Sequence, residues 1–289
     1  SPEYADRPRL NVLKKAGVSR VSIGIQSFQD EELKAIKRRP RQNTIYQALD
    51  DIRQMDFPYF NIDLIYGIKG QTVESFLYSL EEALRFQPNE LFIYPLYVRQ
   101  GTGITEREPD DVCFRMYRAA CKLLQAKGFL QTSMRRFIHH PSTDAEVSCG
   151  DEVMLSCGSG GRSYLGDLHY ATRYTVCQQC IAREIDEYMA TTDFTVARNG
   201  FILSAKEQQQ RFIIKNLMYY MGIDKAEYTR RFGEPLDRTP LFRQLAEQYW
   251  IEETPERIRL TPEGLGYSDY IGQLFITPEI RQLMETYSY

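Results

Sequence analysis

Two short runs carry the residues best suited to chemistry: Val21-Ser-Ile-Gly-Ile-Gln26-Ser-Phe28, and Asn61-Ile-Asp63-Leu-Ile-Tyr-Gly67 followed by Gln71-Thr72. Each is β-branched, is interrupted near its end by a polar residue, and passes into a loop that opens a helix. In a parallel sheet that is the edge where ligands meet the strands. Asp63 sits inside Ile62-Asp-Leu-Ile65, a run expected to be buried by flanking helices. A carboxylate there is costly without a dedicated partner: a ligand hydroxyl, a backbone amide, an arginine, or a hydrogen bond to a neighbouring loop. The amide of Gln26 both donates and accepts, which suits a sugar or amino acid moiety and equally the pinning of a loop.

The elements that must position these residues follow from periodicity. Leu10 and Leu13 share a helical face that stops at Gly17, and Val21 to Gln26 reads as a strand. Ile45, Ala48, Leu49 and Ile52, at i, i+3, i+4, i+7, mark a helix leading to a strand from Phe60 to Tyr66. Phe76, Leu77, Leu80 and Leu84 form the next stripe, Leu91 to Tyr97 the next strand, and Val112, Met116, Ala119 and Leu123 a helix ended by Gly128. The fold class is therefore α/β, with a parallel sheet and right-handed crossovers. Ser1-Pro2 opens a helix with no strand before it, so the chain is expected to enter a βα array partway and to form an open, partial barrel edge.

After Phe129 the pattern loosens around Gly158-Ser-Gly160-Gly161. Beyond Gly200 it turns helical: Ser204-Ala-Lys-Glu207 is a capping box, and Ile213, Leu217 and Met221 line the helix behind it. Asp224 to Phe232 and Leu241 to Tyr249 read as helices, Trp250 to Leu260 as a hairpin with Thr254-Pro255 at its tip, and Thr261-Pro262 as a helix start. That order is winged-helix-like. The expected boundaries are 1–175 for the partial barrel and its extension, 176–203 for a connection and 204–289 for the helical domain.

Composition narrows the function. The 289 residues carry a net charge of -3 and the candidate recognition helix has no basic stripe, so no nucleic-acid partner is expected. No apolar run approaches the roughly 18 residues of a membrane span. No secretory leader opens the chain and six cysteines do not make a secreted disulfide scaffold, so cytoplasm is the expected compartment. Only Cys177 and Cys180 have C-x2-C spacing; they are either inert thiols or metal ligands completed by Cys149 or His169. Arg135, Arg136, His139 and His140 form a basic group suited either to substrate carboxylates or to a solvated loop.

The two opening motifs, in this order and spacing, resemble those of the radical S-adenosylmethionine (radical SAM) enzymes of the oxygen-independent coproporphyrinogen III oxidase-like family, which includes haem chaperones. The resemblance extends through Cys157-Gly-Ser-Gly-Gly161-Arg-Ser163, Glu207-Gln-Gln-Gln-Arg211 and Thr261-Pro-Glu-Gly264. It implies the carboxyl-terminal part of a six-stranded open radical SAM barrel followed by a small winged-helix-like domain. It implies that Asp63 contacts the ribose of S-adenosylmethionine, that Gln26 contacts the same cofactor, and that Arg38 pairs with its carboxylate. It further implies that Tyr97 ends a strand lying along the cofactor and that Arg162 follows glycines admitting the adenosyl group. Lys37 stands where the family has a glycine, Lys69 where it has a proline, and Tyr97-Val-Arg99 is an extension, which mark a divergent subgroup.

The family's [4Fe-4S] cluster is held by C-x3-C-x2-C, a motif this chain lacks. Its cysteines are therefore expected upstream of Ser1, and no catalytic residue is assigned within the chain. The implied function is a radical SAM oxidoreductase of porphyrin biosynthesis: the cofactor yields a 5′-deoxyadenosyl radical that abstracts hydrogen and starts propionate decarboxylation. The alternatives are a haem chaperone on the same scaffold and a radical SAM methyltransferase or modifier of another small molecule. The implied partners are a small-molecule substrate, with a tetrapyrrole as the candidate, and a reductant such as flavodoxin or ferredoxin.

Overall fold

Strand and helix alternate through the first third of the computed structural model, which describes residues 1–39, 42–99, 101–139, 153–173, 175, 177–236 and 240–286. The chain divides into two compact units, Ser1–Arg99 with Gly103–Pro141, and Gln100–Thr102 with Ser142–Tyr289.

In the first unit a short 3-10 turn precedes α1 (Arg7–Lys15), β1 (Arg20–Gln26), α2 (Asp30–Ala35) and α3 (Gln42–Met55). β2 (Tyr59–Tyr66), α4 (Val73–Leu84), β3 (Glu90–Pro95) and α5 (Asp110–Ala126) continue the alternation, and β4 (Leu130–Gln131) and β5 (Arg136–Ile138) end it. The sheet order is β1-β2-β3-β5-β4; β1, β2 and β3 are parallel, and β5 runs antiparallel to β3 and to β4. Three parallel strands that end in an antiparallel pair make an open edge, as expected.

Alternation along the strands sorts side chains onto two faces. Ile23, Ile25, Ile62, Leu64, Leu91 and Ile93 are all buried in the core that also holds Leu49, Ile52, Phe76, Leu80, Met116 and Leu124 from the helices. The register sets Ser22 beside Asn61 and Asn61 beside Glu90, and Gly24 beside Asp63 and Asp63 beside Phe92. Asp63 therefore lies on the face opposite the apolar core. The expectation that helices bury it is corrected: Ile62, Leu64 and Tyr66 take the helix side and leave Asp63 the other.

Two further details differ from the sequence reading. The buried stripe of α5 is Cys113, Met116, Tyr117, Ala120 and Leu124, rotated from the expected one, because the aromatic Tyr117 takes a core position and Val112 and Leu123 flank it. β3 ends at Pro95, not Tyr97, since proline has no N–H for a ladder; the Leu96 N–H still donates to the Tyr66 carbonyl at 2.8 Å.

In the second unit β6 (Val153–Met154), β7 (Arg162–Leu165), β8 (Leu168–Ala171), α6 (Gln178–Ala190) and β9 (Gly200–Ile202) form an antiparallel sheet β6-β7-β8-β9 with one helix. The segment 176–203 is thus no mere connection: α6 lies in it, and β9 joins β8 in one ladder, which pairs Gly200 with Tyr170 and Ile202 with Leu168.

The winged-helix order follows: α7 (Ala205–Leu217), β10 (Ile223–Asp224), α8 (Lys225–Phe232), α9 (Pro240–Glu247), β11 (Ile251–Glu253), β12 (Arg257–Leu260), α10 (Pro262–Gly266), α11 (Ser268–Leu274) and α12 (Pro278–Thr286). Ser204 and Glu207 cap α7 reciprocally, and the Gly264 N–H donates to Thr261 at the start of α10. Phe212, Ile213 and Leu217 supply the α7 share of a separate core, while Met221 lies past the helix end and is exposed.

Candidate functional site

Asp63 is partly buried and receives the Asn61 amide at 2.6 Å and, more weakly, the Ser22 hydroxyl at 3.5 Å. Burial pushes its carboxyl above the ordinary aspartate range; the Asn61 bond opposes this, and the nearby charge of Glu90 adds to it. Asn61 is almost fully buried, spends its amide protons on Asp63 and on Ser22 at 2.6 Å, and leaves its Oδ1 without a partner. A buried acceptor without a donor beside a destabilised carboxylate suits a hydroxyl-bearing ligand, because hydrogen bonds from it would repay both costs.

The neighbouring charge is fully used. Glu90 is buried between Arg20 and Arg136, each of which donates to a different carboxylate oxygen. This pair of bridges fixes β1, β3 and β5 next to the Ser22–Asn61–Asp63 group.

Gln26 ends β1 with φ +74°, a left-handed conformation that costs a non-glycine residue about 1–2 kcal/mol. A break in the β1–β2 register between Gly24 and Gln26 accompanies it. The strain persists because the next residues are pinned. Ser27 is buried, donates to Glu32 at 2.6 Å and accepts from the Gln29 N–H at 2.9 Å. Glu32, itself buried, also receives Gln71 at 2.8 Å and Ser75 at 2.5 Å. The Gln71 picked out in the sequence thus ties the β2 loop to the β1 loop through Glu32, while Thr72 caps α4 with Ser75.

Gly24 has a role that the sequence reading missed. A Cβ there would meet Nε2 of Gln26 at 2.5 Å, so the missing side chain is what lets the Gln26 amide lie back over the strand. The available signal was a glycine inside a β-branched run.

Arg38 is exposed and lines a cavity of about 240 Å³ together with Gly24, Ile25, Glu3 and Thr44. Gly24 lines this cavity with Arg38 and lies beside Asp63 in the β1–β2 register, while Asp63 itself is not among the cavity's lining residues. The position of Arg38 is set by the end of α2: the Lys37 and Arg38 N–H groups donate to Lys34 and Leu33, a Schellman pattern with Lys37 at φ +58°. A glycine is the natural occupant of that conformation, which accounts physically for the family residue that Lys37 replaces.

Tyr97 lies past β3, and its hydroxyl accepts from Arg135 at 2.6 Å. The Arg135 guanidinium lies 5.8 Å from the Tyr94 ring and 5.7 Å from the Tyr97 ring. Arg135 and Arg136 therefore part company, one toward the tyrosines and one buried on Glu90, because successive strand residues point to opposite faces. His139 packs edge-on against Phe129 at 5.0 Å, so these three do not form the single basic group expected; His140 lies outside the described residues.

Arg162 belongs to the second unit, at the start of β7 after a glycine turn. Gly158 and Gly160 have φ +101° and +84°, and their N–H groups donate to Tyr188 at 3.0 Å and Thr172 at 2.6 Å. The turn lines a cavity of about 970 Å³ with Tyr170, Glu184 and Phe194. His169 stacks on Tyr164 at 4.2 Å. Among the described residues no three His, Cys, Asp or Glu side chains are grouped to hold a metal ion, and Cys149 lies outside them. The residues at the β1–β2 edge thus fit an organic ligand, and among the described residues no three thiolates are grouped as a [4Fe-4S] cluster would require.

Comparison with known proteins agrees with this architecture. The Radical SAM superfamily model matches residues 1–83, and the HemN C-terminal domain model matches residues 203–266. The solved structure of coproporphyrinogen III oxidase (HemN) from Escherichia coli, a radical SAM enzyme, superimposes with a TM-score of 0.75 at 21% identity, covering 96% of this chain and 68% of that one. The fold is that of a radical SAM protein with a helical carboxyl-terminal domain. Within that class the chain is similar to proteins of the HemN-like family. The Heme chaperone HemW of Bacillus subtilis (strain 168) is 25% identical over 95% of this chain and 75% of its own length. The Oxygen-independent coproporphyrinogen III oxidase of Thermostichus vulcanus is likewise 25% identical, over 91% of this chain and 87% of its own length.

Proposed function

We propose that this chain binds S-adenosylmethionine as part of a radical SAM oxidoreductase resembling oxygen-independent coproporphyrinogen III oxidase, with Gln26, Arg38, Asp63 and Tyr97 of the first unit as the cofactor contacts. The observation that carries the reading is the Ser22–Asn61–Asp63 group, which combines a carboxylate raised by burial with the unpartnered Oδ1 of Asn61. Ribose hydroxyls would donate to both. Gln26 would bind the amino acid end, and Arg38 would meet its carboxylate with a two-pronged donor set. When bound at a [4Fe-4S] cluster the cofactor would supply hydrogen-abstracting radical chemistry; among the described residues no ligand set for the cluster is grouped, and this chain's own part is to grip and orient the cofactor.

Calorimetric titration of the chain with S-adenosylmethionine tests this. Asp63→Ala is expected to weaken binding roughly 10- to 100-fold, the value of a hydrogen bond to a charged group. Unchanged affinity with intact far-UV circular dichroism would remove Asp63 from the site. The likeness to a protein named as a haem chaperone supports a second reading, in which the scaffold handles haem without turning over a porphyrinogen. A stable Soret band on titration with haem favours it, whereas 5′-deoxyadenosine and a decarboxylated porphyrin from the cluster-loaded protein favour the oxidase.

A further inference from the structure

Gln26 holds a positive φ at the end of β1, and the residue that keeps it there touches no part of the ligand edge. Glu32, the third residue of α2, is buried. Its Oε2 accepts from the Ser27 hydroxyl at 2.6 Å and from the Gln71 amide at 2.8 Å, and its Oε1 accepts from the Ser75 hydroxyl at 2.5 Å. The three donors lie on the loop directly after Gln26, the loop after β2 and the first turn of α4. One carboxyl group is therefore the point at which three elements meet.

The donors are themselves enclosed and anchored. Ser27, Gln71 and Ser79 are buried. Ser27 accepts from the Gln29 N–H at 2.9 Å, and Ser79 accepts from the Phe28 N–H at 3.1 Å. Gln71 also accepts from the Ile68 N–H and donates to the Ile65 carbonyl, each at 3.3 Å. With Glu32 removed, two hydroxyls and an amide lose a buried acceptor, a cost that a loop escapes by turning its donors elsewhere. Ser27 is joined to Gln26 by one peptide bond, so that turn frees Gln26 to leave the left-handed region, which disfavours any residue with a Cβ. The Gln26 amide, which now lies over Gly24, would move with it.

We propose that Glu32 is a positioning residue of the cofactor site, an inference that rests on S-adenosylmethionine being its ligand. Glu32 acts through Gln26: by pinning Ser27 it keeps Gln26 left-handed and its amide aimed at the amino acid end of the cofactor. The chemistry of the contacts distinguishes two substitutions. In Glu32→Gln the new carbonyl oxygen accepts from Ser27 and Gln71, and the new NH2 donates to Ser75, whose own proton turns to the Thr72 carbonyl 3.2 Å away. Glu32→Leu fills a similar volume and accepts nothing.

A double-mutant cycle on the full chain, read by calorimetric titration with S-adenosylmethionine, tests this. Glu32→Leu is expected to weaken binding about tenfold with intact far-UV circular dichroism, and Glu32→Gln to keep nearly the parent affinity. Gln26→Ala is expected to cost about the same, and Glu32→Leu to add nothing once the Gln26 amide is gone. Should Glu32→Leu fail to fold, Ser27→Ala takes its place in the cycle with the same expectation, since it cuts only the link beside Gln26. Losses that multiply instead of overlapping would mark Glu32 as a support of the fold at large and overturn the proposal, as would undiminished affinity in Glu32→Leu or no rescue by Glu32→Gln. A parent chain that does not bind S-adenosylmethionine would overturn the cofactor assignment and this inference together, whereas a parent chain that binds, with multiplying losses in the variants, overturns the role of Glu32 alone.

Discussion

Asp63 occupies its place at a cost in stability, and the sign of that cost is testable. Its carboxyl is raised in the folded chain, so the penalty is absent below the ordinary aspartate range, where folded and unfolded forms are both protonated. It grows as pH rises through that range to the raised value and stays in full above. Asp63→Asn is therefore expected to be more stable than the parent chain near pH 7, with the gain vanishing in acid, as urea titrations at several pH values will show. The same variant should bind S-adenosylmethionine less well, which would separate a ligand-directed carboxylate from a purely structural one. Gly24 allows a complementary test. In Gly24→Ala the new Cβ meets the flexible end of Gln26, so the amide is displaced at little cost to the fold. Weaker cofactor binding with a nearly unchanged melting temperature is the expected outcome.

At the scale of elements, the end of α2 carries a strained residue next to a candidate ligand contact. Lys37 is held at φ +58° in a Schellman turn that positions Arg38. Lys37→Gly relieves the left-handed strain and is expected to stabilise the chain by roughly 1 kcal/mol in denaturant titration. Much at this scale was legible beforehand. The stripe Ile45, Ala48, Leu49, Ile52 is buried as read, and the capping box at Ser204 and the N-cap at Thr261 form as read, because each depends on residues within one or two turns. Where the reading failed, core packing, a proline without an N–H and a distant charge had decided. The α5 stripe rotated to bury Tyr117, the strand expected to reach Tyr97 stopped at Pro95, and Arg136 left the basic group because a buried Glu90, 46 residues away, was waiting for it.

For the whole molecule, the two units have separate buried clusters, one holding Leu80 and the other Leu217. Each of Leu80→Ala and Leu217→Ala is expected to cost about 2–5 kcal/mol, and the double variant their sum within about 0.5 kcal/mol, since residues that share no neighbours do not couple. A larger departure in urea unfolding would show that the clusters communicate. Among the described residues no helix is long and apolar enough to cross a membrane.

The residues themselves determined the βα alternation, the winged-helix order and the two polar interruptions at Gln26 and Asp63, since periodicity, caps and motif spacing are local properties of a chain. Tertiary structure decided the rest. Only the β1–β2–β3 register shows that Asp63 turns away from the core toward Asn61 and Ser22, that Gly24 makes room for the Gln26 amide, and that Glu32 locks the loop in which Gln26 is strained. Those are contacts between strands and loops dozens of residues apart, and no local pattern in the chain encodes which distant donor meets which acceptor.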